Sequence, residues 1–210
     1  MDETMPARKP TRVVFDIGNV LLHWNPRLIY QSIFQTEAEI DDFLTRVLPP
    51  EWNLEQDRGR SWKDAEAEKI ALFPEHEAAI RAFRARWRES VPHAIDGTVE
   101  ILARLKQAGV PLYAITNFAS DTFAEAQGMY LFLSNTFIDI VVSADEKLLK
   151  PDLAIYRVLL DRQGLSAEDC VFIDDSPKNV DAAHALGFHA RLFTTPEVFG
   201  RDLRALGFVV

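Results

Sequence analysis

The chain has a single cysteine, Cys170, so no intrachain disulfide can form and stability must come from packing. The Val171-Phe172-Ile173 run that follows it puts Cys170 in a buried strand rather than at a reactive thiol site. Long apolar runs are also missing. Nothing approaches the roughly 18 apolar residues of a membrane span, and Met1–Pro10 mixes acidic, basic and proline residues without the apolar stretch of a secretory signal. Cytoplasmic residence, away from membranes, is the expectation. Positive charge is scarce: 23 Lys and Arg stand against 32 Asp and Glu, a formal net charge of -9. A general nucleic-acid binder needs a basic face to displace counterions, so that class is disfavoured. No repeat or low-complexity tract is visible, which argues against a fibre or an extended disordered tail.

What is present fits an α/β protein. At 210 residues the chain is long enough for one core and an inserted subdomain. Val13-Val14-Phe15 reads as a buried strand running into the polar loop Asp16-Ile17-Gly18-Asn19. From Pro26 to about Val91 the apolar spacing is helical, through Leu28, Ile29, Ile33, Ile40, Phe43, Leu44, Val47, Ile70, Phe73, Ile80, Phe83 and Trp87. Pro49-Pro50, Gly59 and Pro74 are plausible breaks. After Pro92 helices and strands alternate. Helices are expected near Gly97–Gln107, Ser120–Gln127, Asp152–Gln163 and Ser176–Leu186, and strands near Pro111–Ile115, Ile138–Val142, Cys170–Ile173 and His189–Phe193. This rhythm predicts a doubly wound, Rossmann-like parallel sheet, core residues 11–25 and 92–210, with a small all-α cap inserted over 26–91. Ligands of such a sheet bind beyond the carboxyl ends of the strands, where Asp16, Thr116 and Asp174 fall.

Four separated features would then converge: Asp16, Thr116-Asn117, Lys150-Pro151 and Asp174-Asp175. Clustered carboxylates repel unless a cation intervenes, and an oxygen-rich set suits Mg2+. Lys150 supplies the opposite charge. A phosphoryl group held by the cation, Lys150 and the Thr116 hydroxyl would have its oxygens stabilised during transfer. Asp16 could attack phosphorus and divide hydrolysis into two easier steps.

Phe15-Asp16-Ile17-Gly18-Asn19-Val20, Thr116-Asn117, Lys150-Pro151 and Phe172-Ile173-Asp174-Asp175-Ser176, in this order over Arg12 to Phe193, resemble the four motifs of the haloacid dehalogenase superfamily, in its phosphatase-like branch with a helical cap. The form of the first motif is similar to a sub-branch that includes bacterial sugar-phosphate phosphatases such as the α-glucose-1-phosphate phosphatase. The resemblance implies a cytoplasmic Mg2+-dependent phosphatase of a small phosphorylated metabolite, a sugar phosphate first, as a monomer or homodimer. It implies Asp16 as nucleophile and metal ligand, the Gly18 carbonyl as second ligand, and Asp174 or Asp175 completing the set. It puts Thr116 and Asn117 on the phosphoryl oxygens and Lys150 beside the nucleophile. Asn19, His23 and Trp24, just after the first motif, are candidate substrate contacts, with a packed linker the plainer role for His23 and Trp24.

Where the family's phosphatases usually carry a second Asp as general acid and base, this chain has Gly18. General acid–base help is worth about 10²–10⁴-fold. The reading therefore expects a good leaving group, such as an anomeric or acyl phosphate, or a substitute acid from the cap or His23. Trp52, Trp62 and Trp87 are read as the cap's own small core ahead of a sugar-stacking platform, and Arg58, Arg60 and Arg86 as a solvated face ahead of specificity residues. His76, His93, His184 and His189 lack metal-ligand spacing. Two rivals are a metal-independent 2-haloacid dehalogenase, disfavoured because the Asp174-Asp175 pair has no use there, and a non-catalytic binding protein of the same fold, disfavoured by intact Asp16, Lys150 and Asp174.

Overall fold

The computed structural model describes residues 9–210; all but the last two residues of the Met1–Pro10 segment lie outside them. Five strands, β1 (Arg12–Phe15), β2 (Leu112–Thr116), β3 (Asp139–Val142), β4 (Cys170–Asp174) and β5 (His189–Leu192), form one sheet. The order is β3-β2-β1-β4-β5, with every pair parallel. β1 is central. The chain winds outward through β2 and β3, then crosses back to β4 beside β1, so the topological switch lies where β1 and β4 end.

Between β1 and β2 lie helices α1 (Arg27–Tyr30), α2 (Glu37–Asp42), α3 (Pro50–Asp57), α4 (Trp62–Leu72) and α5 (Glu77–Ala85), followed by α6 (Asp96–Gln107). Then come α7 (Ser120–Met129) and α8 (Phe132–Asn135) before β3, α9 (Ser143–Glu146) and α10 (Leu153–Gln163) before β4, α11 (Pro177–Ala185) before β5, and α12 (Pro196–Ala205) at the end. Both sheet faces are covered, which is why the central strands β1, β2 and β4 are almost wholly buried, while the edge strands β3 and β5 carry polar residues. Side chains alternate along β1. Val13 and Phe15 face a core built with Leu102 and Leu105 of α6, Phe123 of α7 and Phe199 and Leu203 of α12. Val14 faces the other, with Ile155, Tyr156 and Leu159 of α10 and Ala183 of α11.

Helices α1 to α5 bury a separate cluster, including Ile29, Tyr30, Ile40, Phe43, Trp52, Ile80 and Phe83. Local chemistry explains their ends. Thr36 and Glu39 form a reciprocal capping box at α2, and Pro50 occupies the first turn of α3. Gly59, at φ +100, turns the chain after α3 so close to α9 that a Cβ would lie 2.9 Å from the Ala144 carbonyl oxygen. Two antiparallel stretches join this helical unit to the sheet: Ile95 N donates to Leu21 O (2.8 Å), His23 N to His93 O (3.1 Å) and Asn25 N to Ser90 O (2.8 Å).

Three elements went beyond the sequence reading, the short helices α8 and α9 and the longer α12. α12 has its signals in place: Thr195 accepts from Val198 N, Pro196 sits in the first turn, and Phe199 and Leu203 are buried one turn apart. It packs against α6, where Gly97 permits an approach that a Cβ would reduce to 2.8 Å from Pro196 Cβ. The Phe199 ring meets Phe15 edge-on at 5.6 Å between centroids.

Candidate active site

Asp16 follows β1 directly, in a loop that ties itself in place. Its Oδ1 accepts from Ile17 N at 2.7 Å, and the Leu21 and Leu22 amides return to Ile17 O at 2.9 and 3.0 Å. Asn19 adopts the left-handed conformation, φ 52, which Asn tolerates better than most residues. Its Oδ1 accepts from Trp24 N at 3.0 Å, and its side chain also bonds the Asp175 carboxylate.

Lys150 reaches the same point from the loop before α10. Its Nζ lies 2.8 Å from Asp16 Oδ1 and 2.7 Å from Asp174 Oδ2, and all three residues are buried. Asn117 aims it: Lys150 N donates to Asn117 Oδ1 (2.8 Å) and Asn117 Nδ2 donates to Lys150 O (3.1 Å). Both ends of that amide are thus committed to the lysine main chain, so the side chain expected on a phosphoryl oxygen instead holds the lysine. Asp174, at the end of β4, accepts from Lys150, Ser176 N and Asn179 Nδ2. Asp175 is more open and lines the cavity. Thr116, at the end of β2, is buried, and its Oγ1 has no partner among the described residues.

The charges do not balance. Burial, opposed by Lys150 and reinforced by Asp174, pushes the Asp16 carboxyl up to about 7. Burial and Asp174 also raise Asp175. Burial disfavours the charged Lys150, but Asp16 and Asp174 outweigh it and raise the ammonium. One oxygen from each of Asp16, Asp174 and Asp175 falls within a 4.8 Å cluster. Three carboxylates facing one ammonium form a hard-oxygen donor set short of positive charge, which suits a divalent cation of the magnesium class.

The cluster opens on a cavity of about 340 Å³ between sheet and helical unit. The polar floor is Asp16, Gly18, Asn19, Asn117 and Asp175, and the walls include Leu22, Trp24, Leu54, Trp62, Trp87 and Phe118. Trp24 thus joins the site. His23 is exposed and stacks edge-on against His93 at 4.4 Å, outside the cavity lining. The tryptophans divide: Trp52 is buried in the helical unit, Trp62 packs against it and lines the cavity, and Trp87 belongs to the sheet-side core and lines the cavity too. The expectation of three cap-core tryptophans is corrected for Trp87, whose nearest aromatic partner is Phe118, 5.7 Å away. Arg58, Arg60 and Arg86 pair with Glu55, Glu68 and Glu89.

Sequence reasoning missed Asp57, the last residue of α3. It lines the cavity, is buried, and accepts from Asn53 Nδ2 at 3.0 Å and from the Ala119 amide. Burial pushes its carboxyl up to about 7, against the lowering effect of Ala119 N–H. One signal was available. A carboxylate at a helix C-terminus opposes the helix dipole, and such a local misfit marks a residue held for another reason.

Comparison with known proteins agrees with this architecture. A family model of haloacid dehalogenase-like hydrolases matches residues 11–187. The sesquiterpene phosphatase astK of Aspergillus oryzae is 31% identical over 196 residues, covering 92% of this chain and 94% of that protein. Phosphoglycolate phosphatase 1 of Pseudomonas aeruginosa is 27% identical over 212 residues, 94% of this chain and 74% of its own length. A haloacid dehalogenase family enzyme from Bacteroides thetaiotaomicron, solved as a magnesium complex, superposes with a TM-score of 0.74 at 17% identity, covering 94% of this chain and all of that one. With its four motifs gathered at the switch point of a parallel sheet and phosphatases among its relatives, the chain belongs to the haloacid dehalogenase-like hydrolases and is a hydrolase of phosphate esters.

Proposed function

We propose that the chain is a magnesium-dependent phosphatase that works through a covalent intermediate on Asp16 and takes phosphate esters with an apolar body. The observation that carries this reading is the buried Asp16–Lys150–Asp174 constellation at the foot of a cavity walled by aromatic and aliphatic side chains. Asp16 and Asp175, with the Gly18 carbonyl, would hold the cation, because both carboxylates line the cavity whereas Asp174 is already engaged by Lys150, Asn179 and Ser176. When bound, magnesium would neutralise the phosphoryl oxygens and keep the Asp16 carboxylate ionised.

The residues then divide the labour. Lys150 fixes the orientation of Asp16 and offers positive charge to the transferred group. The Thr116 hydroxyl, which has no partner among the described residues, is available to a phosphoryl oxygen. Asp16 attacks phosphorus, and water later releases phosphate and restores the carboxylate. Residues 26–91 act as the cap that shuts out bulk water.

The walls favour an apolar leaving group over the sugar that the first motif suggests. Leu22, Leu54, Trp62, Trp87, Val91 and Phe118 offer few hydrogen bonds to a polyhydroxylated body and would leave its hydroxyls unsatisfied. A relative named as a sesquiterpene phosphatase supports the same choice. The test is a panel of isoprenyl, alkyl, sugar and nucleoside monophosphates with and without magnesium, run beside Asp16→Asn. Turnover should appear only with magnesium, favour the apolar esters, and drop by about 10³-fold or more in the variant. Chloride release from 2-haloacids without metal, or equal turnover of glucose phosphates and prenyl phosphates, would overturn the respective half of the reading.

A further inference from the structure

We propose that Asp57, presented by the cap, is the general acid–base group of this site. The proposal rests on the phosphatase reading above. An alkoxide departing from phosphorus needs a proton, and among the described residues the titratable groups lining the cavity are Asp16, Asp57 and Asp175. Asp16 is occupied as nucleophile and Asp175 is the second acid of the cation cluster. Asp57 comes instead from the cap side, beside Asn53, Leu54 and Trp62, where the body of the ester would lie.

Four contacts fix it there. The Asp57 main-chain oxygen accepts from Ser143 Oγ at 2.5 Å, which ties the end of α3 to the core. Gly59 makes the close approach to Ala144 that lets α3 seat against α9. Asn53 Nδ2 and the Ala119 amide each donate to the carboxyl, leaving capacity to hold or release a proton toward the cavity. Ala119 caps α7, so the carboxylate formed after proton release sits at the positive end of that helix. A carboxyl near 7 is suited to both directions of transfer at neutral pH.

Several charged groups of the surrounding elements are engaged elsewhere. Arg58 and Arg60 pair with Glu55 and Glu68 on the cap. On the core side Asp121 pairs with Arg84, Asp145 accepts from Ser120, and Glu146 pairs with Arg162.

In the first step the Asp16 carboxylate forms a bond to phosphorus as the phosphorus–oxygen bond of the ester breaks, and the Asp57 proton passes to the departing oxygen. In the second, Asp57 takes a proton from the attacking water, the acyl-phosphate bond breaks, and Asp16 and protonated Asp57 are regenerated with release of phosphate.

The test compares a primary alkyl phosphate, whose alkoxide needs the proton, with p-nitrophenyl phosphate, whose phenolate does not, in the full chain with magnesium. Asp57→Asn should lower the ratio of alkyl to aryl turnover by about 10²-fold or more. Adding Gly18→Asp should restore much of that ratio, since a Cβ at Gly18 meets nothing within 4 Å and the residue lines the same cavity. A purely structural role for Asp57 would slow both esters alike and would not be rescued by a carboxyl at position 18; either result overturns the proposal. The unmodified enzyme provides a second measurement, independent of whether the variant folds. Its turnover should depend only weakly on leaving-group basicity across a series of esters, and a steep dependence overturns the assignment. If the unmodified chain shows no magnesium-dependent turnover at all, the phosphatase reading falls and this one with it. An unchanged ratio in an active Asp57→Asn enzyme removes Asp57 alone.

Discussion

Lys150 holds two buried carboxylates apart at 2.8 and 2.7 Å, and removing its ammonium leaves both uncompensated. Breaking a buried ion pair from one side typically costs about 3–5 kcal/mol. Lys150→Met should therefore lower stability by about that amount in chemical denaturation without metal. Saturating magnesium should recover part of the loss, because a divalent cation meets the same excess charge. Equal destabilisation with and without magnesium would contradict the proposed placement of the metal. The residues of this cluster were legible in the sequence because each follows an apolar strand or precedes a helix in a recognisable motif. Asn117 was legible as a position but not as a contact, since nothing in its spacing shows that both ends of its amide grip the Lys150 main chain. Asp57 was not legible as a site residue at all. Its burial depends on α3 docking against α9 and the start of α7, a long-range packing event that helical periodicity does not encode.

At the scale of elements, the cap meets α7 through a compact set of polar contacts. Trp62 Nε1 donates to Asp121 Oδ1 at 3.0 Å. Arg84 pairs with Asp121 and Glu125 at 2.9 and 2.7 Å, and Arg88 pairs with Glu125 at 2.8 Å. These pairs are partly exposed, so each adds only about 0–1 kcal/mol to global stability. In the proposed closure of residues 26–91, their location between that unit and the core gives them a larger effect than on folding. Glu125→Gln should leave the unfolding midpoint nearly unchanged, raise KM by several-fold, and blunt the salt dependence of KM; a variant with the parent salt response would show that the latch is inert. The core helices and strands that the sequence predicted lie within a residue or two of their expected bounds, because period and caps agree there. The tryptophans did not sort as expected, since Trp52 and Trp87 carry the same local signal while one packs inside the cap and the other under Phe118.

For the whole molecule, the buried Asp57 carboxyl links stability to pH. Its folded value near 7 lies above the ordinary 3.8, so between those values the folded state binds a proton that the unfolded chain has released. Stability from this group is complete below about pH 4 and is lost as pH rises through about 7. At about 1.4 kcal/mol per pH unit the slope is large enough to read. Denaturation midpoints measured with magnesium should decline over this window in the parent and decline less in Asp57→Asn. An identical slope in the two proteins would show that Asp57 is ionised in the folded state throughout.

The fold places its last helix under its first strand. Phe199 of α12 braces Phe15, whose next neighbour along the backbone is Asp16. Deleting residues 196–210 would therefore remove the support beneath Asp16, the proposed nucleophile, while sparing all four motifs. Such a shortened protein should keep its catalytic inventory and yet turn over slowly, with the loss lying in kcat.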